Sequence, residues 1–234
     1  MTVPAAAKKR LVVLLSGRGS NFAAIHGAIS QNRLDAQILA VISDRPDARG
    51  LDIAAQTGMD TVCVDREKFP DRRAFERSLA AAVAGFEPDH IVLAGFMRVL
   101  SASFVNRFPG QIINIHPSLL PRHRGLHTHR RVLEAGEKKH GASVHIVTPE
   151  LDAGPVISQV IFEVNNSDTA DTLAERLLPL EHRLYPATLA LLFNHRVEWR
   201  EDHVHIDGVV LDKPLVLDHD FDDDGRLSER RHGR

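Results

Sequence analysis

Apolar positions in the first half of the chain come as short unbroken runs separated by stretches of helical spacing. Residues 11–15, 38–42, 61–64, 91–94 and 112–115 are rich in Val, Ile and Leu and bounded by turn formers. Runs of four or five such residues predict strands buried on both faces. Between them, residues 21–30 carry Phe22, Ile25, Ala28 and Ile29 on one helical stripe, and 51–56 is a second helical stretch. Residues 72–84 form an alanine-rich helical stretch that stops before Gly85 and Pro88, and 101–108 opens on Ser101, a predicted N-cap. This alternation predicts an α/β fold with a doubly wound, mostly parallel sheet.

The second half is less regular. A helix is predicted over 129–135, and strands over 143–147 and 156–164 flank the turn-rich stretch 148–155. A long helix over 170–193 follows, and 197–210 alternates like a terminal hairpin. The predicted organisation is a leader over 1–10, one domain over 11–212, and a polar tail over 213–234. An Asp run followed by an Arg cluster predicts disorder in that tail.

Composition narrows the function classes. The 234 residues are 43% hydrophobic and 26% charged, enough for a substantial core, and a net charge of -2 gives no global case for nucleic acid. Cys63 is the single cysteine, which excludes an internal disulfide and a cysteine-based zinc site. Its neighbours Val62 and Val64 predict that it is a buried small hydrophobe. The first ten residues lack a signal-peptide core, and no run approaches the ~18 apolar residues of a membrane span. The expectation is a cytoplasmic protein, with no membrane or nucleic-acid partner.

Three places carry candidate chemistry. Gly17, Arg18, Gly19, Ser20 and Asn21 follow the first strand and open a helix, whose free N-terminal amides suit an anion. A dinucleotide fingerprint would want a glycine at 22, where Phe22 stands, so the loop reads as a monophosphate cradle. The structural alternative is a tight turn capped by Ser20. Asn114 and His116 lie two apart at the end of the fifth strand, so both leave one face if the strand reaches His116. An amide donor and an imidazole there suit acid–base work and an oxyanion, at the sheet end where open α/β folds bind ligands. Asp152 lies in the turn-rich stretch and, beside His116, would favour its charged form. Histidines 123, 127, 129, 140 and 145 invite a metal, but His127 and His129 lack helical spacing and no Cys or carboxylate motif completes a set. They read better as ligand-lining residues, with no metal.

Four segments together resemble one family. They are Leu-Ser-Gly-Arg-Gly-Ser-Asn at 15–21, Leu-Ala-Gly-Phe-Met-Arg-Val-Leu at 93–100, Ile-Asn-Ile-His-Pro-Ser-Leu-Leu-Pro at 113–121 and Leu-Asp-Ala-Gly-Pro-Val-Ile at 151–157. In order and spacing they are similar to the phosphoribosylglycinamide formyltransferases, the glycinamide ribonucleotide transformylases of the folate-dependent formyltransferase family. Gly-Leu-His-Thr-His at 125–129 and Glu-His-Arg-Leu-Tyr-Pro at 181–186 point to that branch.

The resemblance implies transfer of a formyl group from 10-formyltetrahydrofolate, as co-substrate, to the amine of glycinamide ribonucleotide in purine biosynthesis. It implies a Rossmann-like fold, Asn114, His116 and Asp152 as the catalytic trio, and the phosphate on residues 17–21. It also assigns the ribose to Glu181, and the folate to Met97, Arg98, Val99, Leu100, Asn114, Val147 and Asp152. Arg18 stands where a smaller Asn is common in relatives, and residues 122–125 are more basic than is typical for the branch. Expected partners are the two small-molecule substrates, in a monomer or homodimer. The rivals are another formyltetrahydrofolate-dependent transferase or hydrolase, and a non-catalytic nucleotide-binding module using the first loop and Asp44.

Overall fold

The computed structural model describes residues 7–200 and 203–228. β1 (Lys9–Leu15) leads to α1 (Ser20–Ser30), β2 (Ala36–Ser43), α2 (Arg49–Gln56) and β3 (Asp60–Cys63). After a short 3-10 turn come α3 (Arg72–Ala84), β4 (His90–Leu93), α4 (Ala102–Val105) and β5 (Ile112–His116). The second half comprises α5 (Thr128–Glu134), β6 (Lys139–Ile146), β7 (Val156–Glu163) and α6 (Ala170–Asn194). β8 (Val197–Arg200), β9 (His203–Ile206) and β10 (Val209–Val210) form a small antiparallel sheet, and β11 (Leu215–Val216) returns to the main one.

The main sheet has the order β11-β7-β6-β5-β4-β1-β2-β3. Every neighbouring pair is parallel except the two made by β6, which runs against β5 and β7. This is the expected α/β fold with a mostly parallel sheet. Alternation along β1 builds both layers of the core. Leu11, Val13 and Leu15 pack with Phe22 and Ile25 of α1 and Leu184 and Leu191 of α6. Val12 and Leu14 pack on the other face with Phe75 and Leu79 of α3 and Phe104 of α4. The chain leaves β1 first toward β2 and β3, then crosses back to β4 and β5. The carboxyl ends of β1 and β4 therefore diverge into a crevice, the switch point where open sheets bind ligands.

Two expectations are corrected. Cys63 is exposed, because β3 is the edge strand and carries little cover. Burial of part of its thiol and the charge of Asp65 nevertheless hold its pKa above the ordinary value. The stretch 213–228 is folded: β11 pairs with β7, and Leu215, Leu217 and Phe221 are buried. Three apolar side chains spaced among aspartates suffice, each worth about 2 kcal/mol when buried. Arg183 of α6 gathers the flanking charge, at 2.6 Å from Asp218 and 3.1 Å from Asp223. Of the expected leader, residues 9 and 10 already belong to β1, and 1–6 lie outside the described residues, as do 229–234.

Candidate active site

The first loop is shaped by a close approach of backbones. Gly19 has φ 75°, and a Cβ on it would stand 2.6 Å from Gly50 Cα, so glycine is required twice over. Gly19, rather than Ser20, is the N-cap of α1, and no side chain caps that terminus. Its first N–H groups thus have no intrahelical partner and no side-chain cap. The alternative of a turn capped by Ser20 finds no support in this geometry. Ser16 fastens the loop to the next strand end: its N–H donates to Gly95 O at 3.0 Å, and its hydroxyl accepts from Met97 N at 2.8 Å.

α6 brings Glu181 to that loop. Tyr185, fully buried, directs its hydroxyl at the carbonyls of Ile113 (2.8 Å) and Leu93 (3.2 Å), which pins the helix beneath β4 and β5. One turn earlier on the same face, Glu181 accepts from Asn21 Nδ2 at 3.1 Å. Burial raises the pKa of Glu181, against the Asn21 hydrogen bond and the charge of exposed Arg18, which lower it. His182 beside it is pushed below its ordinary pKa by burial and then by Arg18, and its Nε2 is buried without a partner. Loop, Arg18, Asn21 and Glu181 are thus one neighbourhood, although 160 residues separate the last two in the chain.

Two strand spacings away, about 10 Å, β5 ends on the second cluster. The strand does persist to His116, so Asn114 and His116 share a face. Asn114 lies opposite His145 of β6, and Nδ2 of Asn114 is 3.1 Å from Nε2 of His145. His116 donates from Nε2 to the carbonyl of His123 at 3.1 Å and turns Nδ1 toward Asp152 Oδ2 at 3.4 Å. Asp152 sits in the left-handed region at φ 49° and accepts from Gly125 N at 2.8 Å. Its other oxygen lies 3.8 Å from His145 Nε2. Gly154 lets this loop return: a Cβ there would fall 1.9 Å from Ile146 O.

Beside the trio opens a cavity of about 420 Å³, within the range of small-molecule sites. Its walls are residues 95–100 on one side and 147–152 on the other, with Leu126 and Met97 as exposed lips. Met97, Arg98, Val99, Leu100, Asn114, Val147 and Asp152 all line it. The 97–100 strap is held from behind by Glu76, buried on α3. Its carboxylate accepts from Ser101 N (3.1 Å), the Ser101 hydroxyl and Arg72 Nε (2.8 Å), and Arg72 in turn donates to Val99 O at 2.7 Å. Arg98 meets Asp44 through Nε at 2.6 Å, so one oxygen of Asp44 serves the strap, while its buried Oδ1 has no hydrogen-bond partner.

Of the other histidines, His129 and His140 pair with each other at 2.9 Å. Burial lowers both pKa values, that of His140 to about 4. Among the described residues no group of three or more His, Cys, Asp or Glu is arranged for a metal, and no helix is long and apolar enough to cross a membrane. The basic residues of the 122–131 stretch are engaged within the chain, Arg122 with Glu137 at 2.7 Å and Arg124 with Glu150 at 2.8 Å. His145 was expected only as one of the ligand-lining histidines, and it does line the cavity, whereas Glu76 and Arg72 carried no expected role. Ser143 and His145 stand two apart among apolar residues of β6, a signal that a polar face was being built there. Nothing local singles out Glu76.

Residues 9–189 match the formyl transferase family. The chain is 43% identical over 198 residues to the phosphoribosylglycinamide formyltransferase of Escherichia coli, covering 85% of this chain and 93% of that one. Its fold is similar to a phosphoribosylglycinamide formyltransferase structure from Coxiella burnetii, with TM-score 0.85 and 45% identity, covering 89% of this chain and 99% of the other. Glycinamide ribonucleotide transformylase 1 from Symbiobacterium toebii gives TM-score 0.84 at 38% identity, covering 88% and 98%.

Proposed function

The chain belongs to the formyl transferase family, and we propose that it moves the formyl group of 10-formyltetrahydrofolate to the amine of glycinamide ribonucleotide. The observation that carries this reading is the meeting of His116 and Asp152, with Asn114 beside them, at the mouth of the 420 Å³ cavity. A trio able to hold an oxyanion and pass a proton stands between an anion-suited helix terminus and a pocket with an apolar strap.

The ribonucleotide phosphate takes the free amides of residues 19–21 with Arg18 at the rim, and Glu181 accepts from the ribose hydroxyls. The folate ring system lies between the 97–100 strap and the 147–152 loop, where main-chain groups meet its polar edge and apolar side chains its faces. The acceptor amine attacks the formyl carbon. A C–N bond forms, the carbonyl oxygen gains negative charge, and the bond to the folate nitrogen then breaks as that nitrogen takes up a proton released by the amine. Asn114 Nδ2 and the His116 N–H stabilise the oxygen. Asp152 keeps His116 in its donating form and accepts the charge that develops on the ring. For the Nε2–H of His116 to reach the substrate, the His123 carbonyl must give it up, so loop 122–127 shifts on binding. The same reading sets the enzyme in the cytoplasm, as a monomer or homodimer.

The test is absorbance-monitored release of tetrahydrofolate from 10-formyltetrahydrofolate, with glycinamide ribonucleotide present and then omitted. Turnover that requires the ribonucleotide is the expected result. Turnover with water alone would replace the transferase reading by a deformylase one.

A further inference from the structure

We propose that His145, which the trio does not include, is the positioning residue that fixes which end of the Asn114 amide faces the reacting oxygen. The inference rests on the transferase reading for its chemistry but stands on hydrogen bonds of its own. Asn114 and His145 are direct cross-strand partners on β5 and β6. The Nδ1 atom of His145 lies 3.0 Å from Ile146 O, and a carbonyl oxygen can only accept. That contact therefore holds the ring proton on Nδ1. In the neutral ring the other nitrogen, Nε2, is then a bare lone pair, 3.1 Å from Asn114 Nδ2. A lone pair takes an N–H and rejects a carbonyl oxygen, so the amide has one orientation. Its nitrogen end is committed to the β6 side, and its second N–H is the donor left over for the site.

An unlocked asparagine would lose much of its value here. Rotation by half a turn presents Oδ1 where negative charge is to develop, which turns a stabilising group into a repelling one. The lock also requires that His145 stay uncharged. A protonated ring would donate from Nε2, flip the Asn114 amide, and draw on Asp152 Oδ1, 3.8 Å away, in competition with His116. The groups that face the ring are Asp152, which favours charging, and His116 and Arg124, which oppose it, with the Ile146 carbonyl adding support for the charged form. His145 is 1% exposed, and burial prevails, pushing its pKa down to about 4. Two imidazoles thus flank one carboxylate, and burial reserves that carboxylate for His116.

Two measurements on the intact protein test this. In ¹⁵N NMR of ring-labelled histidine, His145 should show a protonated Nδ1 and an unprotonated Nε2 at every pH from 5 to 8. A proton on Nε2, or titration near neutral pH, overturns the lock whether or not the enzyme is a transferase. In kinetics, His145→Leu should lower kcat about a hundredfold, the scale of losing an oxyanion donor, with both KM values within a few-fold of the parent. His145→Gln, which can still offer an acceptor to Asn114, should recover most of that loss. A Leu variant with parental kcat, or a loss confined to KM, contradicts the assignment, and so does a folded Gln variant as slow as Leu. Should the Leu variant not fold, the ring tautomer of the parent decides.

Discussion

Asp152 Oδ2 stands 3.4 Å from His116 Nδ1, with both side chains more than nine-tenths withdrawn from water. The same oxygen is held at 2.8 Å by the N–H of Gly125, so the carboxylate is fixed by the backbone before any substrate arrives. A buried carboxylate with one main-chain donor and one imidazole is poised to share charge with that imidazole. Its position owes little to local preference, since Asp152 has a left-handed φ. Asp tolerates this region better than most residues do.

Asp152→Asn keeps a side chain able to accept from Gly125 but removes the negative charge 3.4 Å from His116 Nδ1. We expect kcat to fall at least about a hundredfold, while the ribonucleotide KM stays within about threefold. Steady-state kinetics in both substrates reads the split. A variant that keeps its turnover and loses ribonucleotide affinity would count against the catalytic role proposed for Asp152.

Glu181, proposed to accept from the ribose hydroxyls, carries a cost in stability. Its pKa is raised by burial above the ordinary 4.5. As pH falls, the folded chain therefore takes up a proton before the unfolded chain does. Folding stability accordingly declines as pH rises from 4.5 through the raised pKa, and the full penalty remains at neutral pH. Glu181→Gln removes that penalty. The variant should melt higher than the parent at pH 7 and lose this advantage below pH 4.5. Its ribonucleotide affinity should fall about tenfold or more, the scale of a hydrogen bond to a charged acceptor. Equal melting temperatures at pH 7 would show that the buried charge is already compensated.

Glu76 holds the 97–100 strap without touching the cavity. Its carboxylate ties Ser101 and Arg72, and through Arg72 the Val99 carbonyl, to α3. Glu76→Ala leaves the part-buried Ser101 N–H unpaired and should cost about 2 kcal/mol in urea unfolding. It should raise the folate KM about tenfold with kcat nearly unchanged, because the proposed folate placement sets the strap against the ring system and not against the reacting atoms. An unaltered folate KM in a destabilised variant would reduce Glu76 to a structural role.

Phe221, 1% exposed, ties the C-terminal segment to the core. Phe221→Ala should cost about 3–5 kcal/mol in chemical denaturation, as for other buried aromatics. A loss under about 1 kcal/mol would mean that the segment rests on the domain without stabilising it.

The sequence by itself determined the alternation of strands and helices, and with it the sheet. Continuous apolar runs of four or five residues have no other economical use, and the capping Ser101 and the stop at Gly85 and Pro88 fall where α4 begins and α3 ends. The pairing of Asn114 with His116 on one face also follows from sequence, because strand period is a local property. The polar C-terminal stretch misled, since composition averages over the few spaced apolar side chains that bury and over the partner that neutralises its aspartates. The exposure of Cys63 was equally hidden, because an edge strand and a central one can share the same residues. Only the tertiary structure decided that Glu181 meets Asn21, that Asp152 reaches His116, that His145 faces Asn114, and that Glu76 holds the strap. Each of these contacts depends on strand order, on the reversed direction of β6 or on helix packing. Those are set by the summed burial of the whole core, and no local pattern around a carboxylate or an imidazole records them.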